Sequence, residues 1–412
     1  MHQRNRPVRI LTRRLAGHPD AGHPVAARPG SRHRAAILAV AALAAAIPLG
    51  LTVPAAAHAI PAAPLQPASS AEQIQTHVAL ILSKQRASGA IMHGSGGINP
   101  YFGNSAALGL LAAARAGIAA PDAVVGATRW YDWVLAHLNR AGDAKGLAYT
   151  IDDYRLQGDA EIATGSYDSV DSYAATTLSV AAALHASGDP AAQQRVAGSI
   201  GDLEHVAALL THAAPQGVRK SSGLTQATST YNVGYLMDNA EVFAGLRDFA
   251  GLEHALGRTA QAASAEHWAE TTRTAILRMW NDKTGTWNDY DRHAATLTGA
   301  FYPQGMAQIF PVLHGVVPSG DARAVRAWQS VTAAWPGWRS SGFGMASPVA
   351  TFAATAALMG DPAGAHAMID DFTARYAPGW GIPSSCDAAS CATGWWYPSA
   401  SGWTIRALVA AG

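Results

Sequence analysis

The stretch YDSVDSYAATTLSVAAALHASGDP, residues 167–190, decides how the rest of the chain is read. A loop end bearing Tyr and Asp runs into apolar residues spaced by threes and fours. These are crowded with small side chains, Ala174-Ala175-Thr176-Thr177, and predict a helix over 168–187. The run stops at Ser187-Gly188-Asp189-Pro190, where Gly caps one helix and Asp-Pro opens the next. Comparable short turns recur at Ala116-Gly117 to Pro121, Gly257-Arg258, Pro318-Ser319-Gly320-Asp321 and Gly360-Asp361-Pro362.

Working outward with the same signals gives twelve helices, near 70–86, 103–117, 121–140, 168–187, 190–212, 230–255, 258–279, 302–315, 320–335, 346–359, 362–376 and 400–411. Short turns follow the even-numbered helices. Long connectors rich in Gly, Trp, Tyr and Asp precede them, as in 141–167, 281–301 and 377–399. The even-numbered helices are rich in small residues, whereas odd-numbered ones such as 259–278 carry charge along one face. Six hairpins with a packed inner ring and a solvated outer ring make an all-α (α/α)6 toroid. Its long loops share one end, where function usually lies.

The chain has 412 residues, of which 49% are hydrophobic and 14% charged, a balance that excludes disorder. Residues 1–59 hold eight arginines and one acid, Asp20, and leave the remainder with six more acids than bases. A nucleic-acid partner is therefore not expected. The basic run Arg4 to Arg34, the uncharged apolar run Ala35 to Leu51 and the site Ala57-His58-Ala59 read as a secretory signal. The expectation is a signal over 1–59, an exported single toroid over 60–412, no stable membrane insertion once the signal is cleaved, and a monomer. Cys386 and Cys391, in one Gly/Pro/Ser-rich loop, are expected to pair as a disulfide after export. There is no phosphate-binding Gly loop, Ser elbow or His pair at metal spacing, so no cofactor or metal is expected.

With its alternating loops and inner helices, the segment Met279-Trp280-Asn281-Asp282-Lys283-Thr284-Gly285-Thr286-Trp287 and Gly394-Trp395-Trp396-Tyr397 before the last helix, the chain resembles the six-hairpin glycosidase superfamily. Tyr167 to Ala175 and Leu236-Met237-Asp238-Asn239-Ala240-Glu241-Val242 are similar to segments of uncharacterised bacterial members. The resemblance implies a toroidal glycoside hydrolase, with inversion the common outcome in the superfamily. The chain departs from the endoglucanases of glycoside hydrolase family eight, whose Ser-Glu pair is replaced by Asn99-Pro100-Tyr101-Phe102-Gly103-Asn104. The Asp-Asp pair of the bacterial α-mannanases has an echo in Asp152-Asp153, in a different context.

Glycoside hydrolysis needs one protonated and one ionised carboxyl across the scissile bond. The catalytic candidates are Asp171, at the start of the fourth helix; Asp238 and Glu241, one turn apart on the sixth; and Asp153, in the loop between tyrosines. Asp168 is a helix cap as readily as a substrate contact. Sugars pack on aromatic faces, so Tyr101, Tyr173, Tyr231, Tyr235, Tyr302, Trp338, Trp395 and Trp396 are binding candidates, with Gln304 and Asp168 as hydroxyl partners. The leading expectation is an exported enzyme cleaving a polysaccharide or oligosaccharide. A polysaccharide lyase, which would need more loop cations than Arg155 and Arg339, and a non-catalytic glycan binder are the alternatives.

Overall fold

The hairpin pattern folds as read. A computed structural model describes residues 69–94, 96–291, 293–298, 301–340, 349–377, 379–380 and 396–412. The expected signal over 1–59, the pair Cys386 and Cys391, and Trp395 lie outside the described residues.

In chain order the helices are α1 Ser70–Ser83, α2 Pro100–Arg115, α3 Ala120–Ala136, α4 Val170–His185, α5 Pro190–Gly198, α6 Ile200–Thr211, α7 Leu236–Ala255, α8 Thr259–Leu277, α9 Gln304–Leu313, α10 Ala322–Ala334, α11 Val349–Leu358, α12 Pro362–Tyr376 and α13 Pro398–Ala411. The six small-residue helices close a ring: α2 packs on α4, α4 on α7, α7 on α9, α9 on α11, α11 on α13, and α13 back on α2. The others lie outside them, α3 on α2, α6 on α4, α8 on α7, α10 on α9, and α1 and α12 on α13. This is the (α/α)6 toroid. Because each hairpin goes out and back, all six inner helices start at the same end.

Small residues let the inner backbones approach closely. A Cβ at Gly402 on α13 would sit 2.1 Å from the Ser105 carbonyl oxygen of α2, and one at Gly245 on α7 would sit 2.4 Å from that of Ala175 on α4. Outer and inner layers are joined by a buried polar clasp. Trp130 Nε1 on α3 donates to Asn104 Oδ1 at 2.9 Å, and Asn104 Nδ2 donates to Thr176 and Thr177 on α4 at 2.9 and 3.0 Å. The absent side chain of Gly103 leaves the space that the Trp130 ring occupies.

Two boundaries differ from expectation. The helix expected over 190–212 divides at Ser199, so thirteen helices stand among the described residues where twelve were expected. Ser199 Oγ donates to the carbonyls of Arg195 and Val196 and meets the Tyr131 hydroxyl at 2.6 Å, a side-chain alternative to the helical ladder. The helix expected from 230 begins only at Leu236, whose N–H donates to the Asp289 carbonyl at 3.0 Å. Tyr231 therefore lies in the preceding loop and Tyr235 at the N-cap, outside the helix that was expected to hold both.

The loop end carries an antiparallel sheet of β1 Gly97–Ile98, β2 Tyr154–Gln157 and β3 Ala160–Ala163, and the hairpin of β4 Trp280–Asn281 and β5 Thr286–Trp287. Gly285 turns that hairpin at φ 67°, a conformation that favours glycine. No helix among the described residues is long and apolar enough to cross a membrane.

Candidate active site

The N-terminal ends of α4 and α7 carry three of the four candidate carboxyls, and the loop ending at β2 adds the fourth. Asn99 caps α2, its Oδ1 accepting from Phe102 N–H at 3.0 Å, with Pro100 at the first helical position. This leaves Asn99 Nδ2 to donate to Asp153 Oδ1 at 3.0 Å and to the Tyr173 hydroxyl at 2.7 Å. The Tyr173 hydroxyl donates to the same Asp153 oxygen at 2.9 Å. Asp153 Oδ2 accepts no hydrogen bond among the described residues. Burial raises the Asp153 carboxyl from 3.8 to about 6, against the opposing pull of the Tyr173 and Asn99 donors.

Asp238 and Glu241 stand one turn apart on α7. Tyr101 donates to Glu241 Oε1 at 2.6 Å, and its ring stacks on that of Tyr173 with centroids 6.4 Å apart. The Ser172 hydroxyl lies near both Asp238 and Glu241 and pulls the pKa of each down. Burial, and then the neighbouring charge of Asp171, raise Glu241 to about 7; the hydroxyls of Tyr101 and Ser172 and the guanidinium of Arg406 oppose the shift. Burial, then Asp171, Glu241 and Asp168, push Asp238 well above the carboxylate range. Its side chain is enclosed by protein atoms yet keeps partial solvent exposure, as a group lining a recess does.

Asp171 is differently placed. It is fully buried; Oδ1 accepts from Ser169 Oγ at 2.6 Å and Ser172 N–H at 3.1 Å, and Oδ2 from Thr225 Oγ1 at 2.7 Å. Asn239 holds the same Thr225 through its backbone N–H, at 2.7 Å, and its carbonyl, at 3.2 Å. Asp171 thus knots α4 to α7 through the intervening loop, with both oxygens occupied. The cap of α4 is Ser169 rather than Asp168, and Asp168 is exposed at the loop end, its charge felt by both Asp153 and Asp238.

The aromatic candidates divide. Tyr231 and Tyr302 present 51% exposed rings; the Tyr231 and Tyr235 hydroxyls meet at 3.2 Å, and Tyr302 lies close enough to Tyr101 to influence its ionisation. Gln304 Oε1 accepts from Thr296 N–H and Oγ1 at 3.2 and 3.1 Å, so that end of the amide organises the 293–298 loop. Three expectations are corrected. Tyr173 is 3% exposed, its ring against Tyr101 and its hydroxyl donating to Asp153, so it supports that carboxyl and offers no face to a sugar. Trp338 is 2% exposed, packed against Trp328 and Phe352 with Arg339 over its outer face, and is a core residue. Trp396 is buried with Nε1 donating to Ser401 Oγ at 2.9 Å, so its face is unavailable to a sugar.

Asn99, Ser172, Thr225 and Asn239 were not singled out from the sequence. The Asn99-Pro100 pair carried a readable cap signal. The other three contact the carboxyls only through tertiary packing, which sequence spacing does not encode.

Removing the Tyr173 hydroxyl takes a donor from the ionised form of Asp153, so Tyr173→Phe raises the Asp153 pKa. The expected result is an acidic limb of the kcat/KM profile displaced to higher pH than in the parent, where it falls near pH 6. A profile superimposable on the parent's would show that Asp153 does not govern that limb.

A helical toroid with raised carboxyls and exposed aromatic rings at its loop end is a setting suited to glycoside hydrolysis, and the family match supplies the class. The chain belongs to the mannosylglycerate hydrolase MGH1-like glycoside hydrolase domain family, whose model matches residues 54–357. No curated protein sequence matches the chain. Among solved structures it is similar to a glycosidase variant in complex with glucose, at 16% identity and TM-score 0.60, covering 83% of this chain and 97% of that one. It is also similar to the GH63 mannosylglycerate hydrolase from Thermus thermophilus in complex with glucose, at 14% identity and TM-score 0.55, covering 82% and 99%. An uncharacterized conserved protein from the same organism matches at 13% identity and TM-score 0.56, covering 81% and 99%. These likenesses carry the fold, and the family carries the class: the protein is an O-glycosyl hydrolase acting on a sugar substrate.

Proposed function

We propose that Asp238 is the general acid and Asp153 the general base of an inverting glycoside hydrolase, with Glu241 and Asp171 as positioning residues beneath Asp238. The observation that carries this reading is the difference in how far burial raises the two carboxyls. Burial, with Asp171, Glu241 and Asp168 close by, pushes Asp238 well above the carboxylate range and keeps it protonated, while two hydrogen-bond donors on one oxygen of Asp153 hold its rise to about 6, ionised at neutral pH, and leave the other oxygen for water. A protonated acid and an ionised base on different elements are what single displacement by water requires. Asp168 and the exposed rings of Tyr231 and Tyr302 supply hydroxyl and face contacts to the sugar.

The structurally similar proteins include one named a mannosylglycerate hydrolase and two solved with glucose. Gluco- and manno-configured substrates with short aglycones therefore head the panel, followed by oligosaccharides and polysaccharides. Release of reducing sugar from at least one member, lost in Asp153→Asn, is the expected result. A parent that cleaves none, or a variant that cleaves as well as the parent, would refute the assignment. The basic and apolar N-terminus supports export, which fractionation of expressing cells would test.

Asp153 also affects stability. Its folded pKa, about 6, lies above the ordinary 3.8, so the folded state favours the protonated carboxyl. That contribution is fully present below about pH 4 and is lost as pH rises through about 6. Asp153→Asn, which keeps an acceptor for Asn99 and Tyr173, is expected to melt above the parent at pH 7 and level with it near pH 4. A variant melting below the parent at pH 7 would contradict this.

A further inference from the structure

At the end of the ring opposite the carboxyls lies a cavity of about 610 Å³ lined by all six inner helices. Its walls are largely apolar, including Leu108, Ala183 and Leu313, and its rim carries Leu358 and Val409, 44% and 36% exposed. Three arginines, Arg115, Arg247 and Arg406, line it, with Asp248 as the lining carboxylate. Arg247 is held by Asp248 at 2.8 Å. Asp248 also accepts from Ser179 at 2.7 Å. Arg406 lies 3.7 Å over the Trp403 ring, and neither it nor Arg115 makes a hydrogen bond or ion pair among the described residues. An adjoining cavity of about 270 Å³ shares Arg247, Asp248, Trp403 and Arg406 and extends to Glu241.

We infer that this rear chamber binds a small organic anion, with its carboxylate or phosphate group on the Arg406 and Arg115 guanidinia and its apolar body against the Leu- and Ala-lined wall. The charge balance points to an anion, since three guanidinium groups line the chamber with Asp248 as its one carboxylate, and Glu241 is reached only through the adjoining cavity. Arg406 and Arg115 are near enough to repel each other, and burial already pushes Arg406 down to about 10. A guanidinium held in place by an aromatic face, with its donors unused, is a preorganised site for a planar or tetrahedral anion. The volume is in the range of small-molecule pockets, and the apolar walls disfavour a bare inorganic ion. The chamber is lined by neither Asp153 nor Asp238, and it approaches the active-site carboxyls only at Glu241, through the adjoining cavity.

Calorimetric titration of the purified full chain with phenylphosphate tests this, with inorganic phosphate as the companion probe. Saturable binding at one site is expected for phenylphosphate, with weaker binding of phosphate. Arg406→Gln and the chamber-filling Ala183→Phe should each weaken phenylphosphate at least about tenfold, on the scale of a lost charge-assisted hydrogen bond. Should Arg406→Gln melt early, Arg115→Gln on the exposed rim replaces it. Absence of saturable binding in the parent, equal affinity for the two probes, or unchanged affinity in either an arginine variant or Ala183→Phe would each overturn the proposal.

Discussion

Asp238→Asn is expected to lower kcat/KM by about 100- to 10,000-fold on a glycoside with a poor leaving group, the range that a general acid contributes. Asn keeps the size of the side chain and its contact with Ser172 but has no acidic proton to deliver to the departing oxygen. The loss should shrink sharply on a dinitrophenyl glycoside, whose leaving group departs without protonation. Circular dichroism should be unchanged, because Asn fills the same volume and Asp238 is partly exposed. Equal losses on both substrates would remove Asp238 from the acid's role. Near-parental activity on both would remove it from the site.

Gly402→Val should produce the largest loss of stability. The ring closes where α13 meets α2, and a Cβ at Gly402 would fall 2.1 Å from the Ser105 carbonyl oxygen and 2.9 Å from the Ala106 Cα. These are backbone atoms of a packed helix, so relief requires the two inner helices to move apart. Overpacking costs about 1–3 kcal/mol and occasionally more, and a backbone clash with no flexible side chain to yield belongs at the upper end. Denaturant unfolding measures it, with Gly201→Ala on α6 as a control at a position where a new Cβ meets nothing within 4 Å. An unfolding midpoint equal to the parent's would mean that the α2–α13 contact tolerates separation.

The toroid was legible because its signals are local and repeated. Gly-Asp-Pro turns end one helix and start the next, and the run Ala174 to Thr177 marks a helix crowded on both sides. Ser199 broke that logic: a serine between Gly198 and Ile200-Gly201 looks tolerable in a long amphipathic pattern until Tyr131, from another helix, engages its hydroxyl. For the site, sequence placed Asp153, Asp238 and Glu241 in the correct end of the ring but could not separate them from Asp171. Three are acids near helix starts and the fourth, Asp153, sits in the loop before β2. What distinguishes them is occupancy, which only packing fixes: Thr225 and Ser169 saturate Asp171, whereas Asp153 keeps one oxygen open. Trp338 shows the converse, since a Trp in a Gly/Pro-rich connector reads as a sugar platform and instead fills the core beside Phe352.

The central claim is that Asp153 activates water while Asp238 protonates the leaving oxygen, in one displacement. Proton NMR of the sugar first released from a hydrolysed glycoside tests it directly, read before mutarotation. The account predicts the anomer opposite to that of the substrate. Initial release of the same anomer would contradict it, because retention requires a carboxylate to attack the anomeric carbon in place of water.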